Sequence, residues 1–211
     1  MKIVKPSYEI MYYNPDTIKL LEKAGRTCYK SEDKITDESA DKFIKMLIDR
    51  GHEAMIEHSV ITVKFISNRG FTHELVRMRL ASYAQESTRY CNYSKDKFGN
   101  EITVIEPYWF HDSSSESKGQ WTAFIKFSEA SYFKLLENGI QAQGARGVLP
   151  IDIKTEIIIT ANIREWRHIF KLRCAKAAHP DMRRLMIPLL NNVSKMFPVL
   201  FDDVLFGIDD E

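Results

Sequence analysis

The 211-residue chain reads as an α+β protein, with a mixed or antiparallel sheet and long helices packed around it in a single domain spanning residues 1–211. Three observations predict this class. Segments of strand period and of helix period coexist along the chain. They do not alternate as regular βαβ units. No glycine-rich turn follows a strand, and with nine glycines in all the chain has little material for a dinucleotide-binding turn of the Rossmann type.

The elements follow in order. Asn14-Pro15-Asp16 reads as a helix start, with Asn14 as cap and Pro15 in the first turn, and Ile18, Leu21, Ala24 and Cys28 recur at helical spacing. A second helix from about Thr36 places Ala40, Phe43 and Leu47 on one face and stops at Gly51. Between Val60 and Ile66, apolar Ile61, Val63 and Phe65 alternate with Thr62 and Lys64, the period of a half-buried strand. Asn68-Arg69-Gly70 turns the chain, and a short helix over Thr72–Leu80 is expected. Ser82–Lys97 is polar and aromatic without a period, hence an ordered loop, and Ile102–Ile105 is a short strand. His111–Gly119 is an exposed loop ending in a serine cap. The long helix after it carries Trp121, Phe124, Ile125, Tyr132, Leu135 and Leu136 on a stripe and stops at Gly139. Lys154–Asn162, with three consecutive isoleucines, reads as a fully buried strand. A helix over Arg164–Ala177 follows. A last periodic region, from Met182 to Met196, is expected to kink or split at Pro188.

Bulk composition narrows function. Hydrophobic content of 44% and charged content of 28% are those of a soluble globular protein. The formal net charge of +1 leaves no global positive field, so any anion binding must come from local clustering. No apolar run approaches a membrane span, and the first ten residues lack a signal-like apolar stretch. Cys28, Cys91 and Cys174 are odd in number and far apart, which points to a reducing compartment, the cytoplasm, and away from a disulfide framework or a metal site. His52 and His58 flank a turn, but no further metal ligands are evident beside them.

One segment is dense in chemistry. From Arg77 to Tyr90, three arginines, three hydroxyl side chains and a carboxamide fall together. Guanidinium forks bind phosphate bidentately, with hydroxyls and loop N–H groups filling the remaining oxygens. A solvated arginine face is the bland alternative. Against it, Arg77 and Arg79 stand two apart and would point to different sides of a helix, which suits two anionic ligands.

The same residues resemble the family of flavin-dependent thymidylate synthases, whose signature R-H-R-x-x-S followed by E/Q-x-S-x-R-Y is matched by Arg77, Arg79, Ser82, Gln85, Ser87, Arg89 and Tyr90. Upstream, Gly51-His52-Glu53 and Glu57-His58 resemble the family's G-H-E…E-H segment. Downstream, Arg146 with Leu149-Pro150, then Asn162-x-Arg164, then Leu172-Arg173 follow in order, so the resemblance covers roughly residues 15 to 198. The chain departs at Met78, where the family has histidine, losing a donor on the flavin side, although main-chain contacts would survive. Ala54 stands where relatives tend to carry a hydroxyl.

The resemblance implies reductive methylation of dUMP to dTMP. FAD reduced by NADPH would be the hydride source and 5,10-methylenetetrahydrofolate the carbon source, with no cysteine nucleophile. It implies a substrate arm of Glu74, Leu75, Val76, Arg77, Gln85, Glu86, Ser87, Thr88, Arg89, Arg146 and Arg173. Ser87, Thr88 and Arg89 suit the phosphate. Arg173 is the catalytic candidate, its guanidinium suited to negative charge developing on the uracil ring. Read alone, Arg173 is better taken as a cation complementing a helix C-terminus. The implied flavin arm is Ala54, Arg77, Met78, Arg79, Gln85, Asn162, Ile163, Arg164 and His168. Without the resemblance, Asn162 could be a helix cap and Arg164 a surface residue. A homotetramer with shared sites is implied, with no nucleic-acid or membrane partner. Two alternatives stay open: a relative whose turnover is impaired through Met78, and a single-stranded RNA-binding module built on Tyr83, Tyr90 and Tyr93, which near-neutral charge disfavours.

Overall fold

The computed structural model describes residues 1–95 and 98–208. The elements are, in order, β1 (Lys2–Val4), β2 (Ser7–Tyr13), α1 (Thr17–Tyr29), α2 (Ser39–Asp49), β3 (Val60–Asn68), α3 (Arg69–Leu75), β4 (Ala81–Gln85), β5 (Thr103–Ile105), α4 (Ser115–Glu137), α5 (Ala142–Ala145), β6 (Lys154–Asn162), α6 (Ile163–Cys174), α7 (Pro180–Met196) and α8 (Pro198–Gly207). The class is α+β. β1 and β5 pair in parallel, Lys2 opposite Thr103, and a separate four-stranded antiparallel sheet runs β2-β3-β6-β4.

The chain divides into two compact units. The first comprises Met1–Ser7, Phe65–Arg77 and Ala84–Ile157; the second comprises Tyr8–Lys64, Met78–Tyr83 and the chain from Ile158 onward. In the first, Tyr93, Ile102, Val104, Ile125, Tyr132, Ala145 and Ile153 form the buried core beneath α4. Ser114 caps α4 by accepting from the Ser117 amide. The helix ends where Gly139 takes φ +83°, its amide and that of Ile140 closing on Leu136 and Leu135 carbonyls. In the second unit, α6, α7 and α8 bury Trp166, Phe170, Leu189, Leu200 and Phe201. Trp166 and Phe170 stack at 5.4 Å, and the Trp166 indole donates to the Ile61 carbonyl.

Several elements differ from their sequence reading for local reasons. Helix α1 begins after Pro15. The Asn14 side chain accepts from the Asp16 amide as a turn, and its carbonyl takes Thr17, so Asn14 does not cap the helix. Cys28 lies on the solvent side of α1, off the apolar face expected for it. The tripeptide Asn68–Gly70 does not turn the chain: Asn68 caps α3 by accepting from the Phe71 amide, so that helix starts early and ends at Leu75. Arg77 and Arg79 therefore stand in a turn beyond it, with no helical sides to point to. The expected loop over Ser82–Lys97 opens with a strand, β4, and its last two residues lie outside the described ones. On α4, Phe124 is 59% exposed and falls off the buried face. Strand β6 has the expected bounds, but alternate residues Thr155, Ile157, Ile159 and Ala161 are buried while those between are only half-buried. Helix α7 runs through Pro188 without a break. Strands β1 and β2 had no forewarning in the sequence.

Candidate active site

The structure sorts the expected substrate residues almost entirely into the first unit, Arg173 excepted. Glu74, Leu75 and Val76 close α3; Leu75 is fully buried, leaving only its main chain for contact, while Arg77 is exposed. At the end of β4, Gln85 donates to Thr72 Oγ1 at 2.8 Å, which holds its carboxamide in place. Glu86 pairs with Lys154 at 3.1 Å. Ser87 Oγ accepts from the Arg89 amide, and the Arg89 guanidinium lies over the Tyr90 ring, 5.5 Å from its centroid. Arg146, in the tight turn after α5, reaches Thr88 Oγ1 at 3.4 Å. Residues nearly sixty positions apart, Thr88 and Arg146, thus bring a hydroxyl and a guanidinium together beside Ser87 and Arg89 in the chain, groups of the kind that bind anions. Burial alone would lower the Lys154 ammonium, but the Glu156 and Glu86 carboxylates outweigh it and raise it, so the ammonium stays charged.

The expected flavin residues fall mainly in the second unit, Arg77 and Gln85 excepted. Asn162 caps α6, its side chain accepting from the Glu165 amide at 2.8 Å, and so presents the first turns of that helix to a cavity of about 400 Å³. Arg164, His168 and Lys171 line it from one helical face. Ala54 is exposed on the turn Glu53–His58. That turn contributes Glu57 and Glu53, which pair with Arg164 at 2.7 and 3.5 Å. Ile163 is fully buried and can offer only main chain. From the arginine turn, Met78 and Arg79 differ sharply: Arg79 is exposed and Met78 is 4% exposed, its carbonyl accepting from the Tyr83 hydroxyl at 2.7 Å.

Sequence reasoning gave no site role to six lining residues: Glu53, Glu57, Leu80, Glu165, Arg167 and Lys171. Lys171 was discoverable, since it extends the spacing of Arg164 and His168 by one turn. Leu80 carried no signal. Arg167 is buried and anchored by a bidentate pair with Asp203 at 2.7 and 2.6 Å. Burial would raise the Asp203 carboxyl, but the Arg167 hydrogen bonds and charge win and lower it. Glu165 is 8% exposed, one of its oxygens has no hydrogen-bond partner, and burial raises its carboxyl against the opposing pull of His168.

Arg173 sits in the last turn of α6, half-buried. Its charge is felt by Tyr83, whose phenol burial and Glu165 push up to about 12 while Arg173 pulls it down. Cys174 is buried and burial pushes its thiol up to about 12, away from the thiolate, while the exposed Cys28 lies 3.5 Å from the Met55 sulfur. His52 is engaged by the Tyr29 hydroxyl at 2.9 Å, and His179 caps α7 through the Asp181 amide.

Comparison with known proteins bears on the family and the fold. The family model described as thymidylate synthase complementing protein matches residues 9–199. A flavin-dependent thymidylate synthase of Geobacter sulfurreducens is 32% identical over 203 residues, covering 92% of this chain and 84% of that protein. Another, of Mycolicibacterium gilvum, is 33% identical over 203 residues, covering 87% and 78%. Among solved structures, the UMP/dUMP methylase PolB of Streptomyces cacaoi bound with 5-Br dUMP gives a TM-score of 0.80 over 99% of this chain and 98% of that one, at 20% identity, a likeness of fold. With its motif blocks in order, a family model spanning most of its length and relatives near one-third identical, the chain belongs to the thymidylate synthase complementing protein family, that of the flavin-dependent thymidylate synthases.

Proposed function

We propose that this chain methylates dUMP to dTMP as a flavin-dependent thymidylate synthase. The observation that carries the reading is that one cavity gathers three separate sequence blocks, Glu53 and Glu57, Leu80, and Asn162 to Lys171. The lining fits FAD. Arg164 and Lys171 suit a pyrophosphate, Asn162 and the partnerless Glu165 oxygen suit hydroxyls, and Leu80 suits a flat ring. His168 stands one turn beyond Arg164 on the same face, and Ala54, Ile163 and Met78 contribute main chain. Arg77, Arg79 and Gln85 complete the flavin set. Bound FAD, reduced by NADPH, supplies the hydride, and 5,10-methylenetetrahydrofolate supplies the carbon.

The chain's own work is placement and charge. Ser87, Thr88, Arg89 and Arg146 grip the dUMP phosphate, with Glu74 to Arg77, Gln85 and Glu86 around the nucleoside. The Arg173 guanidinium holds the uracil edge and stabilises charge as C5 becomes nucleophilic. No thiol takes part. The substrate and flavin sets lie largely in different units, and the exposed aromatics of α4, Phe124 and Phe127, offer an assembly surface. Both support sites completed between copies in a homotetramer. Among the described residues no helix is long and apolar enough to cross a membrane, in keeping with a cytoplasmic setting.

Purified protein is expected to bind FAD, to change its visible spectrum on adding dUMP, and to form dTMP. Arg173→Ala is expected to retain FAD and lose turnover by about a hundredfold or more, the scale of removing a group that stabilises developing charge. A variant that still turns over removes Arg173 from its role. Methylation of UMP without dUMP would overturn the substrate assignment.

A further inference from the structure

The turn from Met78 to Tyr83 is pinned at both ends and strained in the middle. At one end the Met78 side chain is buried; at the other the Tyr83 hydroxyl donates to the Met78 carbonyl at 2.7 Å. Between them Leu80 has φ +67°, left-handed backbone that a leucine adopts only when its surroundings impose it. Its side chain is 83% exposed, so the strain does not bring it into a core. It brings it to the cavity beside α6, where every other lining residue is polar or charged. An apolar side chain held out of the core by a strained turn, at a cavity whose other lining residues are polar or charged, is arranged for a ligand.

We propose that Tyr83 is a positioning residue: by fixing the Met78 carbonyl it holds the turn in which Leu80 projects into the cavity as the apolar wall against the flavin ring. This rests on the flavin reading above. The phenol is suited to the task because burial and Glu165 keep it protonated up to about 12, so it remains a donor at working pH.

The test is FAD affinity, read by absorbance and fluorescence titration of the full chain. Tyr83→Phe is expected to weaken FAD about fivefold, the scale of one hydrogen bond. Leu80→Ala is expected to weaken it comparably, and the double variant no further than Leu80→Ala alone, because both act through one wall. Leu80→Gly, which relieves the backbone strain while removing the wall, should loosen FAD without lowering the melting temperature, and it carries the test if Tyr83→Phe folds poorly. Unchanged affinity in Leu80→Gly, or Tyr83→Phe and Leu80→Ala effects that multiply, would overturn the proposal. A wild-type chain that binds no FAD would instead bring down the flavin reading on which it rests.

Discussion

The Met78 side chain is 4% exposed and its carbonyl is held by Tyr83, so the family's missing imidazole is not a gap in the cavity lining. A histidine there would bury a polar ring, which costs about 1–3 kcal/mol where it gains no hydrogen bond. Met78→His is therefore expected to lower the melting temperature while leaving FAD affinity within about twofold, the main chain being unchanged. A marked tightening of FAD would show that the side chain reaches the ligand after all. What type and spacing could flag was a set of anion-binding groups, of which Thr88 and Arg146 meet across 58 positions. Leu80 was not legible in this way. Its significance lies in a positive φ and in what surrounds it, neither of which its type announces.

Among the elements, the seam between α1 and α2 depends on an absent side chain. A Cβ added at Gly25 would stand 2.6 Å from Phe43 Cε1 and 3.1 Å from Leu47 Cδ1. The Phe43 ring has little room to move, with the Arg26 guanidinium 4.1 Å from its centroid and Tyr29 against its edge. Gly25→Ala gains helix propensity but overpacks the seam, and a net loss of about 1–2 kcal/mol is expected in denaturant titration. A gain would mean that the helices separate freely. Long periodic elements could be read from sequence, β6 to the residue, because period and length agree there. Boundaries set by a single capping side chain were misread, as at Asn14 and Asn68, where local hydrogen bonds decide between cap and turn. Strands β1 and β4 are short, and β2, though seven residues long, has little burial alternation of its own; pairing with other strands makes them strands.

At the scale of the molecule, Phe124 and Phe127 on α4 are 59% and 72% exposed, in a chain with almost no net charge to keep copies apart. Replacing both with glutamate is expected to shift the proposed tetramer to a smaller species in light scattering, with dTMP formation falling in parallel. A variant that remains tetrameric would exclude α4 from the assembly surface. The two compact units have a different consequence. Each is assembled from three stretches of chain, so five junctions separate them along the sequence. No single cut in the gene releases either one, so neither can be expressed alone as an uninterrupted stretch of this chain.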